Sequence, residues 1–186
     1  PDTQILTTVA YGGLSWRESP ELRNEAVHSL TQSELNPSIL LVGTITGIFR
    51  SQDSGETWSL LPTSRTPDLI DVESLAVDPR NASVIYAGTT EGLWQSEDAG
   101  ATWRRLTPAD WVINSVDVPV SRPGRVVIGT TDLGMLVSDD RGGHFSAAND
   151  GFNHRRTLAL ALDPDRAGRV LAVLANGAEP LLVTDD

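Results

Sequence analysis

Short apolar runs recur along the chain, and each ends close to a glycine or another small residue. They lie at residues 39–43, 84–88, 126–129 and 170–175. β-Branched residues are frequent in these runs, and turn-forming residues separate them, which is typical of short β-strands. No segment keeps a helical period over about 11 residues. The pattern therefore predicts an all-β chain, in units of strand, turn, strand, loop, strand, hairpin and strand.

One segment occurs three times, at residues 47–58, 92–103 and 134–145. Its pattern is Ser-x-Asp-x-Gly-x-Thr-Trp, and the third copy has His-Phe in place of Thr-Trp. We call the three copies the box turns. Their shared positions are Ser51, Asp53, Gly55 and Trp58, then Ser96, Asp98, Gly100 and Trp103, then Ser138, Asp140, Gly142 and Phe145.

The repeat length predicts a β-propeller. A repeat of roughly 40–45 residues with four strands is the signature of a propeller blade. Each blade hides its faces only against its neighbours, so blades stack around an axis. The predicted units lie at residues 27–61, 72–106, 112–148 and 157–186 of one domain, 1–186, which is either a complete propeller or a fragment of one.

The box turns have a structural explanation that needs no ligand. Asp and Ser side chains accept hydrogen bonds from backbone N–H groups in tight turns, and the glycine fits a position with positive φ. The aromatic residue then begins the fourth strand and packs between blades. Because the three Asp residues belong to separate blades, we expect no metal or paired catalytic carboxylates among them.

At these residues the chain resembles the Asp-box, or BNR-repeat, propellers. The resemblance covers residues 27–186. It implies a fold more than a function, because families with such boxes include sialidases, sortilin-type receptors, certain glucanases and photosystem II assembly factors.

The two ends of the repeat leave two arrangements open. Residues 5–16 align with residues 47–58 as a degenerate box turn, which predicts that residues 5–18 form the outer strands of a blade. Asp186 aligns with Asp53. Either the strand near residues 14–18 completes the last blade and closes a ring of four, or the chain belongs to a larger ring. The stop within a box turn at Asp186 favours the larger ring. In an open arc, exposed blade edges would favour self-association.

The amino-acid composition limits the classes of molecule that the chain can bind. The chain has 186 residues, a net charge of −11 and no cysteine, and its 14 basic residues are all arginine. An acidic chain disfavours nucleic acid, and no apolar run reaches the length of a membrane span. The lack of lysine points to a GC-rich bacterial genome. We expect either a cytoplasmic protein or an exported one whose signal has been removed.

Catalytic chemistry is hard to find in the sequence. A sialidase site needs an arginine triad and a nucleophilic Tyr, yet the chain has only Tyr11 and Tyr86, the latter in an apolar run. There is no Gly-x-Ser-x-Gly motif, and the three histidines show no metal-ligand spacing. We predict no cofactor and no metal, and we lean towards a protein that is not an enzyme.

The loops between the second and third strands form the candidate binding face, together with the loops that join blades. Polar residues recur there, and one aromatic residue stands among them: Glu91, Trp111, Asp132 and Glu179. The simpler interpretation is a solvated rim, with Trp111 packed over a blade end.

Two functions remain from the sequence. The first is a non-catalytic scaffold for protein interaction or assembly. The alternative is a carbohydrate-active propeller that hydrolyses or binds sugars, with its catalytic residues outside this chain.

Overall fold

The computed structural model describes residues 10–11, 14–15, 18–62, 69–152, 156–163, 166, 169–175 and 181–185. The regular structure in these ranges is almost entirely β, with one 3₁₀ turn at Pro20–Leu22. They contain no helix long and apolar enough to cross a membrane. Strands β1 (Ala10–Tyr11) and β2 (Leu14–Ser15) pair with each other as a separate antiparallel hairpin. Whether residues 5–18 serve a further or a closing blade stays a prediction.

Four antiparallel sheets follow, each a blade with its strands paired in chain order. Blade 1 comprises β3 (Val27–Gln32), β4 (Leu40–Thr44), β5 (Gly47–Ser51) and β6 (Ser59–Leu60). Blade 2 comprises β7 (Val72–Val77), β8 (Ile85–Thr89), β9 (Gly92–Ser96) and β10 (Arg104–Arg105). Blade 3 comprises β11 (Ile113–Asp117), β12 (Val126–Thr130), β13 (Met135–Ser138) and β14 (Ser146–Ala147). Blade 4 comprises β15 (Thr157–Leu162), β16 (Arg169–Leu174) and β17 (Leu181–Asp185). The predicted all-β architecture of about four blades is confirmed.

The hydrophobic core lies between consecutive blades, as the burial argument requires. Leu41 and Ile48 of blade 1 pack against Leu75 and Ile85 of blade 2. A second cluster joins blades 2 and 3, and a smaller one joins blades 3 and 4. Each fully buried aliphatic side chain stabilises the fold by about 1.5–3 kcal/mol relative to an exposed one. The blades therefore depend on their neighbours for stability.

A glycine in the second strand of each of the first three blades sets the spacing between blades. A Cβ on Gly43 would lie 2.8 Å from the Val72 carbonyl oxygen of the next blade, and one on Gly88 would lie 3.0 Å from that of Ile113. A Cβ on Gly129 would lie 2.6 Å from Cγ2 of the Thr157 side chain in blade 4. In blade 4 the equivalent position by strand register is Val173.

The first strand of every blade carries a register shift near its start, where one residue is extra. The extra residues are His28, Glu73, Asn114 and Leu158. Such bulges re-aim side chains at the rim of a sheet. Because the first strands of consecutive blades contact one another, residues at this position lie close to the next blade.

The outer faces of the first and last blades are apolar and exposed. On blade 1, Leu30 is 64% exposed, whereas Leu75, at the same register position in blade 2, is buried. On blade 4, Leu181 is 55% exposed, and Val173 and Val183 are also exposed.

Candidate functional site

Each box turn is closed by hydrogen bonds among its own residues. In the first turn, the Ser51 hydroxyl donates to Asp53 Oδ1 at 2.7 Å and accepts from the Gly55 N–H at 2.8 Å. Asp53 accepts from the Thr57 N–H at 2.9 Å and from the Thr57 hydroxyl at 2.6 Å. The second turn repeats these bonds with Ser96, Asp98 and Thr102.

The third turn keeps this geometry with a different residue. His144 donates its N–H to Asp140 Oδ1 at 2.8 Å, and its Nδ1 lies 2.7 Å from Asp140 Oδ2. The imidazole thus takes the place of the threonine hydroxyl. This substitution explains how a turn with His-Phe instead of Thr-Trp retains the repeat.

Two consecutive residues in each box turn adopt the left-handed region. Gly55, Gly100 and Gly142 have φ values of 90°, 91° and 88°. The residues before them, Ser54, Ala99 and Arg141, have φ values of 62°, 57° and 61°. The second group is invisible in the sequence, because its members share no residue type. The dense hydrogen bonding of the turn offsets this backbone strain.

The box carboxylates are held in their charged form by these bonds. The side-chain and backbone hydrogen bonds from Thr57 and the bond from Ser51 lower the pKa of Asp53 to about 2. The corresponding bonds from Thr102 and Ser96 lower the pKa of Asp98 to about 2. Bonds from His144 and Ser138 likewise place the pKa of Asp140 well below its usual range.

The aromatic residues that follow the second and third turns pack against the core. Trp103 packs against the cluster between blades 1 and 2, and its indole N–H donates to the Gly100 carbonyl at 3.1 Å. Phe145 packs against the cluster between blades 2 and 3. The box turns thus serve both turn geometry and packing between blades.

The predicted binding face is only partly described. Glu91 and Asp132 are exposed on the turns between the second and third strands of blades 2 and 3. Trp111 is half-buried and packs against the cluster between these blades, as expected of a residue over a blade end. Glu179 lies outside the described residues.

Sequence reasoning missed a cluster of three ligand-type side chains on that face. His28 Nδ1 lies 3.5 Å from Glu73 Oε1 and 3.9 Å from Asp71 Oδ1. All three donor atoms lie within 4.8 Å of one another. His28 and the two acidic residues are about one blade apart in sequence, so no local spacing reveals them. Only the alignment of bulge positions between blades places His28 beside Glu73.

A cavity of about 440 Å³ lies between blades 3 and 4. Apolar side chains such as Val127, Met135 and Phe152 line it. Its lining also includes four arginines: Arg122, Arg125, Arg166 and Arg169. Arg125 forms a two-point ion pair with Asp139, at 2.7 and 2.9 Å, which lowers the pKa of that carboxyl.

Two further groups with displaced pKa values are structural. Burial raises the pKa of Asp117, which accepts hydrogen bonds from the Val118 and Leu162 N–H groups and so connects blades 3 and 4. Burial also raises the pKa of Tyr86, whose hydroxyl accepts from Gln95 at 2.9 Å. Among the described residues, neither group contacts the donor atoms of His28, Asp71 or Glu73.

Comparison with known proteins supports the fold. No family model matches the chain, and no curated protein matches it either. Among solved structures, a GH74 xyloglucanase from Xanthomonas campestris is similar with a TM-score of 0.71 and 18% identity, over 87% of this chain and 29% of that one. The structure of YCF48 bound to D1 peptide is similar with a TM-score of 0.68 and 13% identity, over 96% of this chain and 56% of that one. A chain of the nidogen–laminin complex is similar with a TM-score of 0.71 and 18% identity, over 87% of this chain and 61% of that one.

These neighbours are β-propellers, and at such identities they show the fold alone. They include both an enzyme and proteins solved with a peptide or a protein partner. This chain spans between 29% and 61% of their lengths.

Proposed function

We propose that this chain is a non-catalytic propeller that binds a protein or peptide partner. One observation carries the proposal: in the described residues, each carboxyl group with a displaced pKa already has a structural task. Asp53, Asp98 and Asp140 hold turns, Asp139 pairs with an arginine, and Asp117 connects two blades. A carboxyl group that acts as a general acid near neutral pH needs a raised pKa together with access to a cleft.

The proposed partner is a positively charged segment. The loops that carry Glu91, Trp111, Asp132 and Glu179 are acidic, and they differ between blades, as expected where a rigid scaffold carries variable chemistry. Clustered negative charge attracts a cationic partner through its electrostatic field.

We also propose that the chain belongs to the Asp-box propellers and that it is of bacterial origin. The box pattern supports the first proposal, and the use of arginine as the basic residue throughout supports the second.

The test is fluorescence-polarisation binding with matched basic, neutral and acidic peptides. The basic peptides should bind best, and raising the salt concentration from 50 to about 200 mM should weaken them severalfold because exposed charges are screened. A double change, Glu91→Gln with Asp132→Asn, should weaken binding about tenfold, since both charges lie on the proposed face.

The matched control is Glu97→Gln, which removes one exposed charge on the side of the box turns. It should leave the affinity within about twofold, as is usual for a charge remote from an interface. A loss of affinity with Glu97→Gln but not with the double change would contradict the assignment of the face.

A carbohydrate-active propeller is the second candidate. Trp111, a half-buried ring beside the exposed Asp110, is the observation that favours it, because aromatic rings form platforms for sugars. Because its catalytic residues would lie outside this chain, the test is binding of xyloglucan and other β-glucans, measured by affinity electrophoresis. Binding that is lost with Trp111→Ala, in a variant whose fold circular dichroism confirms, would replace the scaffold proposal.

A further inference from the structure

We propose that His28, Asp71 and Glu73 form a binding site for a divalent transition-metal cation of the zinc class. The site would join blade 1 to blade 2. Its donors would be one imidazole nitrogen and one oxygen from each of two carboxylates, with water completing the coordination.

The separations within the cluster favour a shared cation over a simple ion pair. Distances of 3.5 and 3.9 Å from His28 Nδ1 to the two carboxylates exceed those of charge-assisted hydrogen bonds. The same chain shows what a formed pair looks like, since His144 Nδ1 lies 2.7 Å from Asp140. Metal–ligand bonds of about 2.0–2.2 Å place donor atoms roughly 3–3.5 Å apart, so a small contraction would complete the site.

The fold brings these donors together through one recurring position. His28 and Glu73 are the extra residues of the bulges in β3 and β7, so they occupy the same place in consecutive blades. In blade 3 this place holds Asn114, whose amide donates to the Thr157 carbonyl of blade 4 at 2.7 Å. Direct hydrogen bonds thus connect blades 3 and 4 there, whereas blades 1 and 2 present three ligand-type side chains.

Asp71 is fixed from both sides. Its N–H donates to the Ile45 carbonyl of blade 1 at 3.1 Å, and its Oδ2 accepts from the Thr90 hydroxyl at 3.3 Å. The second contact leaves Oδ1 directed at the cluster, at the distance given above. Such outer contacts orient metal-ligating carboxylates.

The donor set decides the class of cation. Imidazole suits zinc and neighbouring transition metals, whereas calcium and magnesium prefer all-oxygen sites. With three protein ligands, positions remain for water or for a carboxylate of a partner, as in zinc sites that are not fully closed.

The experiment titrates Zn²⁺ into chelator-treated protein by isothermal calorimetry, with Ca²⁺ and Mg²⁺ in parallel. We expect saturation at one equivalent of Zn²⁺ and weaker binding of the other two. His28→Asn and Glu73→Gln should each weaken Zn²⁺ binding about tenfold or more, because each removes a ligand. The visible spectrum of the Co²⁺-loaded chain should change in His28→Asn, because the imidazole ligand is lost.

Two features keep the test decisive. His28→Asn introduces the residue that blade 3 carries at this place, so the fold should tolerate it, and circular dichroism checks this. His144→Thr is the control, because it removes another histidine beside an aspartate and restores the residue of the other box turns. Absence of saturable binding, binding that His28→Asn leaves unchanged, or binding that His144→Thr removes would overturn the proposal.

Discussion

At the scale of single residues, the serine of the box turn does more than its small size indicates. Ser96 is buried, and its hydroxyl donates to Asp98 while it accepts from the N–H groups of Asp98 and Gly100. Gly100 is itself buried, so its N–H has no access to water without this serine. One hydroxyl oxygen therefore makes three hydrogen bonds that hold the strained backbone of the turn.

Ser96→Ala should destabilise the protein by about 1–3 kcal/mol, because it leaves a buried N–H without a partner. Urea unfolding followed by tryptophan fluorescence measures the change. Ser121→Ala, at an exposed serine, is the matched control and should stay within about 0.5 kcal/mol of the parent. Equal stability of the two variants would show that the turn does not depend on the serine.

The box carboxylates also predict a dependence of stability on pH. Because the pKa values of Asp53 and Asp98 are lowered from 3.8 to about 2, their contribution is fully present above about pH 4. It is lost as the pH falls from about 4 to 2, where the folded state must take up protons. Thermal unfolding at pH 7, 4 and 2.5 should show a fall in Tm mainly between the last two. Asp98→Asn should make this fall smaller, and an unchanged slope would contradict the assignment.

At the scale of the strand, the glycine of each second strand allows the next blade to approach. Gly88 is the clearest case, because a Cβ there would overlap the Ser74 hydroxyl and crowd the Ile113 side chain at 2.8 Å. Neighbouring atoms on both sides belong to packed strands. The glycine is therefore a requirement of spacing between blades, not of backbone conformation.

Gly88→Ala should cost about 1–3 kcal/mol through overpacking. Val173→Ala, at the equivalent position of blade 4, should cost less than about 1 kcal/mol, because that side chain is exposed. Chemical denaturation of both variants measures the contrast. Equal costs at the two positions would show that blade contact does not depend on this glycine.

Particular residues show how far sequence reasoning reaches. Asp53, Asp98 and Asp140 were recognisable because one motif recurs at blade spacing, and a repeated motif with apolar runs leaves few folds that bury both faces. The cluster of His28, Asp71 and Glu73 was not recognisable, because it depends on a bulge and on contact between two blades. The left-handed residues before the box glycines share no sequence signal either. The fold can thus be predicted from the repeated motif, whereas the cluster of His28, Asp71 and Glu73 depends on how two blades pack together.

At the scale of the molecule, the described chain is an arc of blades with apolar outer faces at both ends. Leu30 on blade 1 and Leu181 on blade 4 are 64% and 55% exposed. An exposed apolar face of a blade is a surface that a further blade or another chain can cover.

The placement of the hydrophobic clusters between consecutive blades also determines the order in which the four blades unfold locally. Each inner blade is supported from two sides, whereas each terminal blade has support from one described neighbour. In such a one-dimensional array, opening begins at the terminal units and moves inward, with a free energy that grows for each interface lost. Amide protons of β8 and β12 should consequently exchange last. The blades then behave as coupled units. A ligand that bridges two blades would raise the free energy needed to separate them and would slow the opening of the terminal blade.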